Sequence, residues 1–271
     1  YSPELATGTI AASGTLGQII PPSVVLVLLG SVLNVSVGDL FAAALIPGLL
    51  LVVCYIVYIV IYARLYPDKA PSMPAAEIAV FRGAGFMKRV IKAFLLPLLL
   101  IAAVLGSILA GIASPTEASA IGALGATILT IIQGKFSWQV LKEVMQETTH
   151  LTTMVFIILI GATTFALVFR GMGGDDYLID LIEGANLSPM AFLFLVMLVV
   201  FIAGFFIDFI EIIFIIVPVV APIFVNYEMN LVWIGILLAL NLQTSFLSPP
   251  FGFSLFYLKG VAPEGVTTQH L

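Results

Sequence analysis

Two carboxylates, Asp208 and Glu211, lie inside one of the most apolar stretches of the chain, "AGFFIDFIEIIFIIVPVV". They are three positions apart, so in a helix they share one face. At mid-depth in a bilayer a carboxylate costs about 2.5–3.5 kcal/mol on insertion scales, so such groups normally face a cation, a water-filled path or a polar partner. Asp208 could instead cap the helix that follows it. Glu211 could carry a proton, lie beside a sodium ion or form a structural hydrogen bond, and the sequence leaves these roles open.

Small polar residues cluster at two further places, where a Pro-Pro pair interrupts an apolar run. Proline removes a backbone donor and clashes with the preceding turn, and the residue before it leaves the helical region. Each place is therefore predicted to be a broken helix. Freed main-chain groups are tolerated in a membrane only where they are buried in protein or line a cavity, so two matched breaks indicate a shared binding site. The candidate binding residues are Ser13, Gly14, Thr15, Gly17, Pro21 and Pro22 at the first break, Asn241, Thr244, Ser245, Ser248, Pro249, Pro250 and Gly252 at the second, and Gly204, Asp208 and Glu211 between them.

The composition decides which elements hold these residues. The chain of 271 residues is 61% hydrophobic and only 9% charged, whereas soluble domains carry about 25% charged residues. Its apolar runs are continuous and reach the length of about 20 residues that a spanning helix needs. We therefore predict an all-α polytopic membrane protein. The chain opens without an initiating Met or a signal peptide, so we expect a part of a longer protein.

The charges predict the orientation of the spans. The loop after a first span at 40–62 holds six of the ten basic residues up to position 92, which places it in the cytoplasm by the positive-inside rule. A second span at 93–112 leads outward. Ser114 and Glu117 have the spacing of a capping box that starts the next helix, which returns to about residue 133. After an interfacial segment, a span at 151–169 leads to an acidic loop that fits the outer side.

The apolar stretch 191–224 is predicted to be a re-entrant hairpin with its tip at 204–208. A single crossing would place Tyr227 inside and break the alternation of the spans. With the hairpin in place, the two broken helices have opposite orientations. Inverted repeats with discontinuous helices that meet near the midplane are a recurring architecture of secondary transporters.

Four motifs in order, "GTLGQIIPPS", "SPTEASA", "GFFIDFIEIIFIIVPVVAP" and "SPPFG", resemble the large membrane subunit of tripartite ATP-independent periplasmic (TRAP) transporters. The form "FFIDFIEI" is most similar to the branch labelled mannitol/chloroaromatic-type. The resemblance implies sodium-driven uptake of organic acids (carboxylates) by an elevator motion of a transport domain against a scaffold. It implies two partners, a small membrane subunit and a periplasmic substrate-binding protein, and a place in the cytoplasmic (inner) membrane of a bacterium or archaeon. The family's first hairpin and first scaffold spans would precede Tyr1, so the chain resembles the C-terminal part of the subunit.

The resemblance also implies where sodium binds and how the chain is divided. Each hairpin tip would meet a broken helix, so the break at 13–17 would face the absent first hairpin and the tip at 204–208 would face the break at 243–248. Sodium, a hard cation, favours oxygen ligands, and the expected ones lie near Ser13, Thr15, Asp208, Thr244 and Ser245. The serine and threonine hydroxyls among these residues more often bond their own helix than a ligand. Half-helix N-termini suit a substrate carboxylate. No cofactor other than Na⁺ as coupling ion is expected.

The expected parts are 1–38, the end of a first repeat with a broken helix; 39–112, scaffold spans with a cytoplasmic amphipathic connector; 113–187, scaffold and connecting spans of a second repeat; 188–226, the hairpin, which opens outward; and 227–271, the second broken helix and C-terminal segment.

Two other functions remain open at this point. A proton-coupled or sodium-independent anion transporter of the same inverted-hairpin build would carry the same motifs. An ion channel would need pore-lining rings, usually from symmetric oligomers. An enzyme is not expected, because the sequence has no Ser/His, HExxH or paired catalytic Asp motif. Nucleic-acid binding is not expected either, because there is no exposed basic patch.

Overall fold

A computed structural model describes residues 1–81, 83, 85–184, 187–248, 252–263 and 266–267. Within these ranges all regular secondary structure is helical, which confirms the predicted all-α class. Five helical segments are long and apolar enough to cross a membrane, as a polytopic membrane protein requires. They are Val37–Leu65, Ile91–Leu109, Pro115–Ile132, Trp138–Gly171 and Phe209–Asn226.

Thirteen α-helices follow one another in the described residues. They are α1 (Pro3–Thr15), α2 (Val24–Leu33), α3 (Val37–Leu65), α4 (Ala75–Phe81), α5 (Phe86–Val90), α6 (Leu96–Leu109), α7 (Pro115–Ile132), α8 (Trp138–Gly171), α9 (Gly174–Gly184), α10 (Pro189–Ala203), α11 (Phe209–Asn226), α12 (Leu231–Phe246) and α13 (Phe253–Val261). A 3₁₀ turn, Leu16–Gln18, follows α1, and a π-helical turn, Ile91–Leu95, precedes α6.

Several helices begin at a polar residue whose side chain accepts a hydrogen bond from the first turn. Ser2, Ser23, Ser188 and Asn230 do so for α1, α2, α10 and α12. The predicted capping box of α7 is confirmed: Ser114 Oγ accepts from the Glu117 amide at 3.3 Å, and Glu117 Oε2 accepts from the Ser114 amide at 2.8 Å. These caps satisfy amides that have no partner within the helix.

Two segments contain more helix than the sequence analysis expected. The interfacial segment and the span at 151–169 form one continuous helix of 34 residues, α8. The stretch contains no proline, and its first glycine is Gly161, so nothing in it forces a break. The acidic loop folds in part into α9. Tyr177 and Leu178 lie four and three positions before Leu181, the spacing of an apolar stripe on one helix face.

The chain divides into two compact units, and α3 and α8 contribute residues to both. The first unit comprises Val57–Leu151 together with Tyr1. In it, α6 packs closely against α7. A Cβ added at Gly125 would lie 2.3 Å from Leu100 Cδ1, so the absence of a side chain at this position permits the close approach.

The second unit, Ser2–Ile56 with Thr152–Leu271, holds both Pro-Pro stretches and the 188–226 segment. The largest fully buried side chains of the described residues, including Phe41, Phe224 and Phe246, belong to this unit. Its helix α11 is 39% buried over its most apolar window, whereas the other four candidate spans are 6–11% buried. Helix α11, which contains Glu211 and directly follows Asp208, is therefore the most enclosed of the candidate spans.

Candidate functional site

Helices α10 and α11 lie side by side and are joined by residues 204–208. The opposite end of the pair is closed by aromatic contacts. The rings of Phe192 and Phe224 lie 5.1 Å apart, and the Tyr227 hydroxyl donates to the Leu187 carbonyl at 3.0 Å. The pair therefore forms a helical hairpin whose connecting tip is 204–208.

The hairpin tip rests directly on α12. A Cβ added at Gly204 would lie 2.1 Å from Ser245 Oγ and 2.8 Å from Ser245 Cβ. Gly204 has an ordinary helical conformation with φ −65°, so glycine is needed here for space and not for backbone freedom. Asn241 Nδ2 also donates to the Met197 carbonyl at 2.7 Å, which fastens α12 to α10.

Asp208 and Glu211 occupy the start of α11. Asp208 is the N-cap residue, and its Oδ1 accepts from the Phe209 amide at 2.7 Å. Its second carboxylate oxygen is available for another partner, because a carboxylate offers about four acceptor positions. Glu211 Oε2 is buried, and no donor among the described residues reaches it. Both carboxylates are thus placed at the hairpin tip, one as a cap and one with an unsatisfied oxygen.

The first break begins later than predicted. Ser13, Gly14 and Thr15 belong to the last turns of α1, and their hydroxyls bond the same helix, Ser13 to the Ile10 carbonyl and Thr15 to the Ala12 carbonyl. The helix persists because no proline occurs between residues 4 and 20 to remove an amide donor.

The irregular backbone of the first break spans residues 16–23. Gly17 lies in the 3₁₀ turn, and Pro21 and Pro22 precede α2. Ser23 ends the break: its Oγ accepts from the Leu26 amide at 3.3 Å and donates to the Gln18 carbonyl. One hydroxyl therefore joins the two sides of the break.

The second break also begins later than predicted. Asn241, Thr244 and Ser245 lie within α12, which continues to Phe246. Across the break, the Ser254 hydroxyl donates to the Phe246 carbonyl at 3.0 Å, and Gly252, with φ 47°, is the N-cap residue of α13. The candidate residues Pro249 and Pro250 lie outside the described residues.

The hydroxyls near the second break bond their own helix. Thr244 donates to the Leu240 carbonyl at 2.8 Å, Ser245 to the Leu242 carbonyl at 2.8 Å, and Ser248 to the Thr244 carbonyl at 3.0 Å. Such a bond uses the hydroxyl hydrogen and leaves lone pairs on the oxygen. These oxygens therefore keep the capacity to accept from a donor or to contact a cation.

The structure brings the two breaks together. Helix α12 packs beside both the 3₁₀ turn of the first break and α2, and α1 packs beside α13. Gly235 of α12 fits between α2 and α3, since a Cβ there would lie 3.2 Å from Leu33 Cδ1 and 3.0 Å from Leu40 Cδ2. Both breaks and the hairpin tip belong to one compact unit.

Two glutamines near the breaks were missed by the sequence analysis. Gln243 is 1% exposed, and its Nε2 donates to the Tyr55 hydroxyl at 3.3 Å. The side-chain oxygens of Gln18 and Gln243 are buried and have no partner in the described part of the chain. Gln18 lies within the motif "GTLGQIIPPS", Gln243 lies at the start of the expected break at 243–248, and a buried amide is costly unless it is paired. That cost was the signal that could have identified them.

The polar groups of this region are oxygen-rich. In the described ranges, no three His, Cys, Asp or Glu side chains come together as a metal cluster. The potential ligands are hydroxyl, amide and carboxylate oxygens, which suit hard cations better than the softer transition metals.

Comparison with known sequences gives one family over almost the whole chain. The family model described as "Tripartite ATP-independent periplasmic transporter, DctM component" matches residues 1–270. This match agrees with the family that the four motifs resemble.

Curated relatives of the chain are large permease proteins. A C4-dicarboxylate TRAP transporter large permease protein of Pseudomonas aeruginosa is 32% identical over 272 residues, covering 99% of this chain and 62% of the relative. A sialic acid TRAP transporter large permease protein of Vibrio cholerae is 31% identical, covering 96% and 60%. An ectoine/5-hydroxyectoine TRAP transporter large permease protein of Ruegeria pomeroyi is 28% identical, covering 94% and 58%. The chain thus spans about three fifths of the length of these relatives.

Proposed function

Because the chain belongs to the family of the TRAP transporter DctM component, we propose that it forms part of a sodium-coupled, binding-protein-dependent permease for organic acids. The permease lies in the cytoplasmic membrane of a bacterium or archaeon and works with a small membrane subunit and a periplasmic substrate-binding protein. Two relatives are named for C4-dicarboxylates and for sialic acid, which supports a carboxylate substrate.

The contact between the hairpin tip and α12 is the observation that supports this function best. Gly204 lies against Ser245, and Asp208 is four residues further along the same tip. A sodium ion between the tip and the end of α12 would find the free oxygen of Asp208 and the hydroxyl oxygens of Thr244 and Ser245. Binding there would hold the tip closed on α12, so that ion and substrate move together.

The first break supplies the corresponding second half-site. Thr15 is buried at the end of α1, and the 3₁₀ turn that follows it packs beside α12. A second sodium ion would bind near Ser13 and Thr15, with ligands completed by a hairpin from the preceding part of the subunit. The N-termini of α2 and α13, which face the breaks, suit the substrate carboxylate through their free amides.

A proton-coupled anion transporter is the second candidate, and Glu211 favours it. Its buried Oε2 has no donor in the described part of the chain, and a buried carboxyl oxygen without a donor is an unfavourable place for a full negative charge. Glu211 would be the proton carrier in such a mechanism.

One uptake experiment separates the two candidates. The full-length subunit with both partners is reconstituted into liposomes, and uptake of a C4-dicarboxylate and of sialic acid is driven by a sodium gradient or by a proton gradient. The proposal predicts uptake with the sodium gradient alone, retained in Glu211→Gln. Uptake driven only by protons, and abolished by Glu211→Gln, would replace the proposal with the second candidate.

A further inference from the structure

Helix α11 contains two prolines, Pro218 and Pro222, one helical turn apart. Each proline lacks the amide that would donate to the carbonyl four residues earlier. Pro222 therefore leaves the Pro218 carbonyl without an intrahelical donor, and Pro218 does the same to the Phe214 carbonyl. A main-chain carbonyl inside an apolar environment is stabilised by any donor that replaces the missing one.

A side chain from α8 supplies that donor. Arg170 lies in the last turn of α8, and its Nη2 donates to the Pro218 carbonyl at 3.2 Å. In the sequence, Arg170 is the only lysine or arginine between Lys142 and Lys259. A guanidinium presents five donors and stays charged, so it suits a carbonyl that has lost its usual amide donor.

A hydrophobic cluster joins the two helices near the start of α11. Ala162 of α8 forms this buried cluster with Ile210 and Phe214 of α11, and side chains of α2 and α8 pack against it. The hydrogen bond from Arg170 is a second contact between α8 and α11, one helical turn beyond Phe214 on α11. Arg170 therefore holds α11 at a second point, beyond the cluster that lies next to Asp208 and Glu211 in the sequence.

We propose that Arg170 is a positioning residue: its guanidinium replaces the donor that Pro222 removes and thereby holds α11, with the carboxylates at its start, in register with α8. The proline-weakened turn of α11 would otherwise be free to bend away from α8. The part of this proposal that concerns ion affinity rests on the sodium-coupled function above. The part that concerns the helix does not.

The test uses Arg170→Met in the full-length subunit assembled with its partners. In nanodiscs without sodium or substrate, amide hydrogen exchange of peptides covering 209–226 is expected to rise about tenfold, since a hydrogen bond from a charged donor is lost. In liposomes, the apparent KM for sodium is expected to rise about threefold while the maximal uptake rate stays close to wild type, because one such bond is worth at least that factor.

A matched pair of proline variants shows whether the effect of Arg170→Met comes from the lost hydrogen bond to the Pro218 carbonyl. Pro222→Ala restores an amide for the Pro218 carbonyl, so adding Arg170→Met to Pro222→Ala should change exchange and KM by less than about twofold. Pro218→Ala restores an amide only for the Phe214 carbonyl, so the same addition to Pro218→Ala should keep the full effect.

The outcomes separate this proposal from the proposed function. Equal rescue by both proline variants, or unchanged exchange in Arg170→Met, would overturn the assignment of Arg170. Selective rescue of exchange by Pro222→Ala, in a protein whose uptake proves independent of sodium, would support the role of Arg170 and contradict the sodium-coupled function.

Discussion

At the scale of single residues, Asp208 has two separable properties. Its Oδ1 accepts from the Phe209 amide and so starts α11, while its charge is what a cation would require. Asparagine is about as good a helix cap as aspartate but carries no charge, whereas alanine neither caps the helix nor carries a charge. The two substitutions therefore separate the structural role from the proposed binding role.

We expect Asp208→Ala to lower the stability of the purified subunit by about 1 kcal/mol, the usual cost of losing a cap. Asp208→Asn is expected to unfold thermally close to the wild type. The measurement is the midpoint of thermal unfolding in detergent without sodium. Equal destabilisation by the two variants would show that the charge itself, and not the cap, holds the fold.

Gly204 is required for the contact between the hairpin tip and α12. Gly204→Ala would put a Cβ 2.1 Å from Ser245 Oγ, so the tip must move away. We expect a loss of about 1–3 kcal/mol in stability, as for overpacking of an interior, and a marked loss of sodium-driven uptake. Adding Ser245→Gly removes both of the closest atoms and should restore part of the uptake.

The control for this substitution is Gly161→Ala in α8, where no atom lies within 4 Å of the new Cβ. It should be neutral or slightly stabilising, because alanine is the better helix former. If Gly204→Ala changed stability and uptake as little as Gly161→Ala does, the hairpin tip would not be in contact with Ser245.

The sequence identified the carboxylates but not every polar group of the site. Asp208 and Glu211 were predictable because a charge in an apolar run needs a reason to be there. Gln18 and Gln243 were not singled out, although their oxygens are buried without partners in the described residues. Whether a serine hydroxyl faces a ligand or its own helix depends on the rotamer, which sequence does not determine.

At the scale of helices, the breaks are stabilised by side chains. Ser23 is 2% exposed and caps α2 while it donates to the Gln18 carbonyl on the other side of the break. It therefore links two pieces of chain that the prolines separate. Among the described residues, the exposed Ser188 hydroxyl makes only the capping bond, at the start of α10.

We expect Ser23→Ala to destabilise the subunit by about 2 kcal/mol, since a cap and a buried hydrogen bond are both lost. Ser188→Ala, the matched control, should cost about 1 kcal/mol or less, since only the cap is lost. Thermal unfolding of both variants in the same detergent provides the comparison. A larger effect at Ser188 would contradict the role given to Ser23.

Helix ends were harder to predict than helix breaks. The Pro-Pro pairs located each interruption, but α1 and α12 continue further toward them than the polar residues suggested. Proline constrains the residue before it and the turn preceding it, and residues further upstream remain free to be helical. The same reasoning explains α8, where polar residues without proline did not end the helix.

At the scale of the whole molecule, the charges predict which loops face which compartment. The basic loop after α3 is predicted to be cytoplasmic, and the acidic segment around α9 is predicted to be external. Asp68 and Met172 are exposed positions in these two regions. The prediction depends on α6, α7 and α8 each crossing the membrane once, because each additional crossing reverses all later loops.

Single cysteines test this orientation in a Cys54→Ala background. A membrane-impermeant maleimide added to intact cells or right-side-out vesicles should label Met172→Cys and leave Asp68→Cys unlabelled until the membrane is opened. Labelling of both positions from the same side would refute the predicted alternation of the spans.

The proposed transport function requires a cation held where the hairpin tip meets the broken helix. Binding of radioactive sodium to the full-length subunit and its partners in nanodiscs tests this most directly. We predict saturable binding in the wild type and an affinity about tenfold lower in Asp208→Asn, the loss expected when a cation loses one charged ligand. Sodium binding that is absent from the wild type, or equally strong in Asp208→Asn, would contradict it.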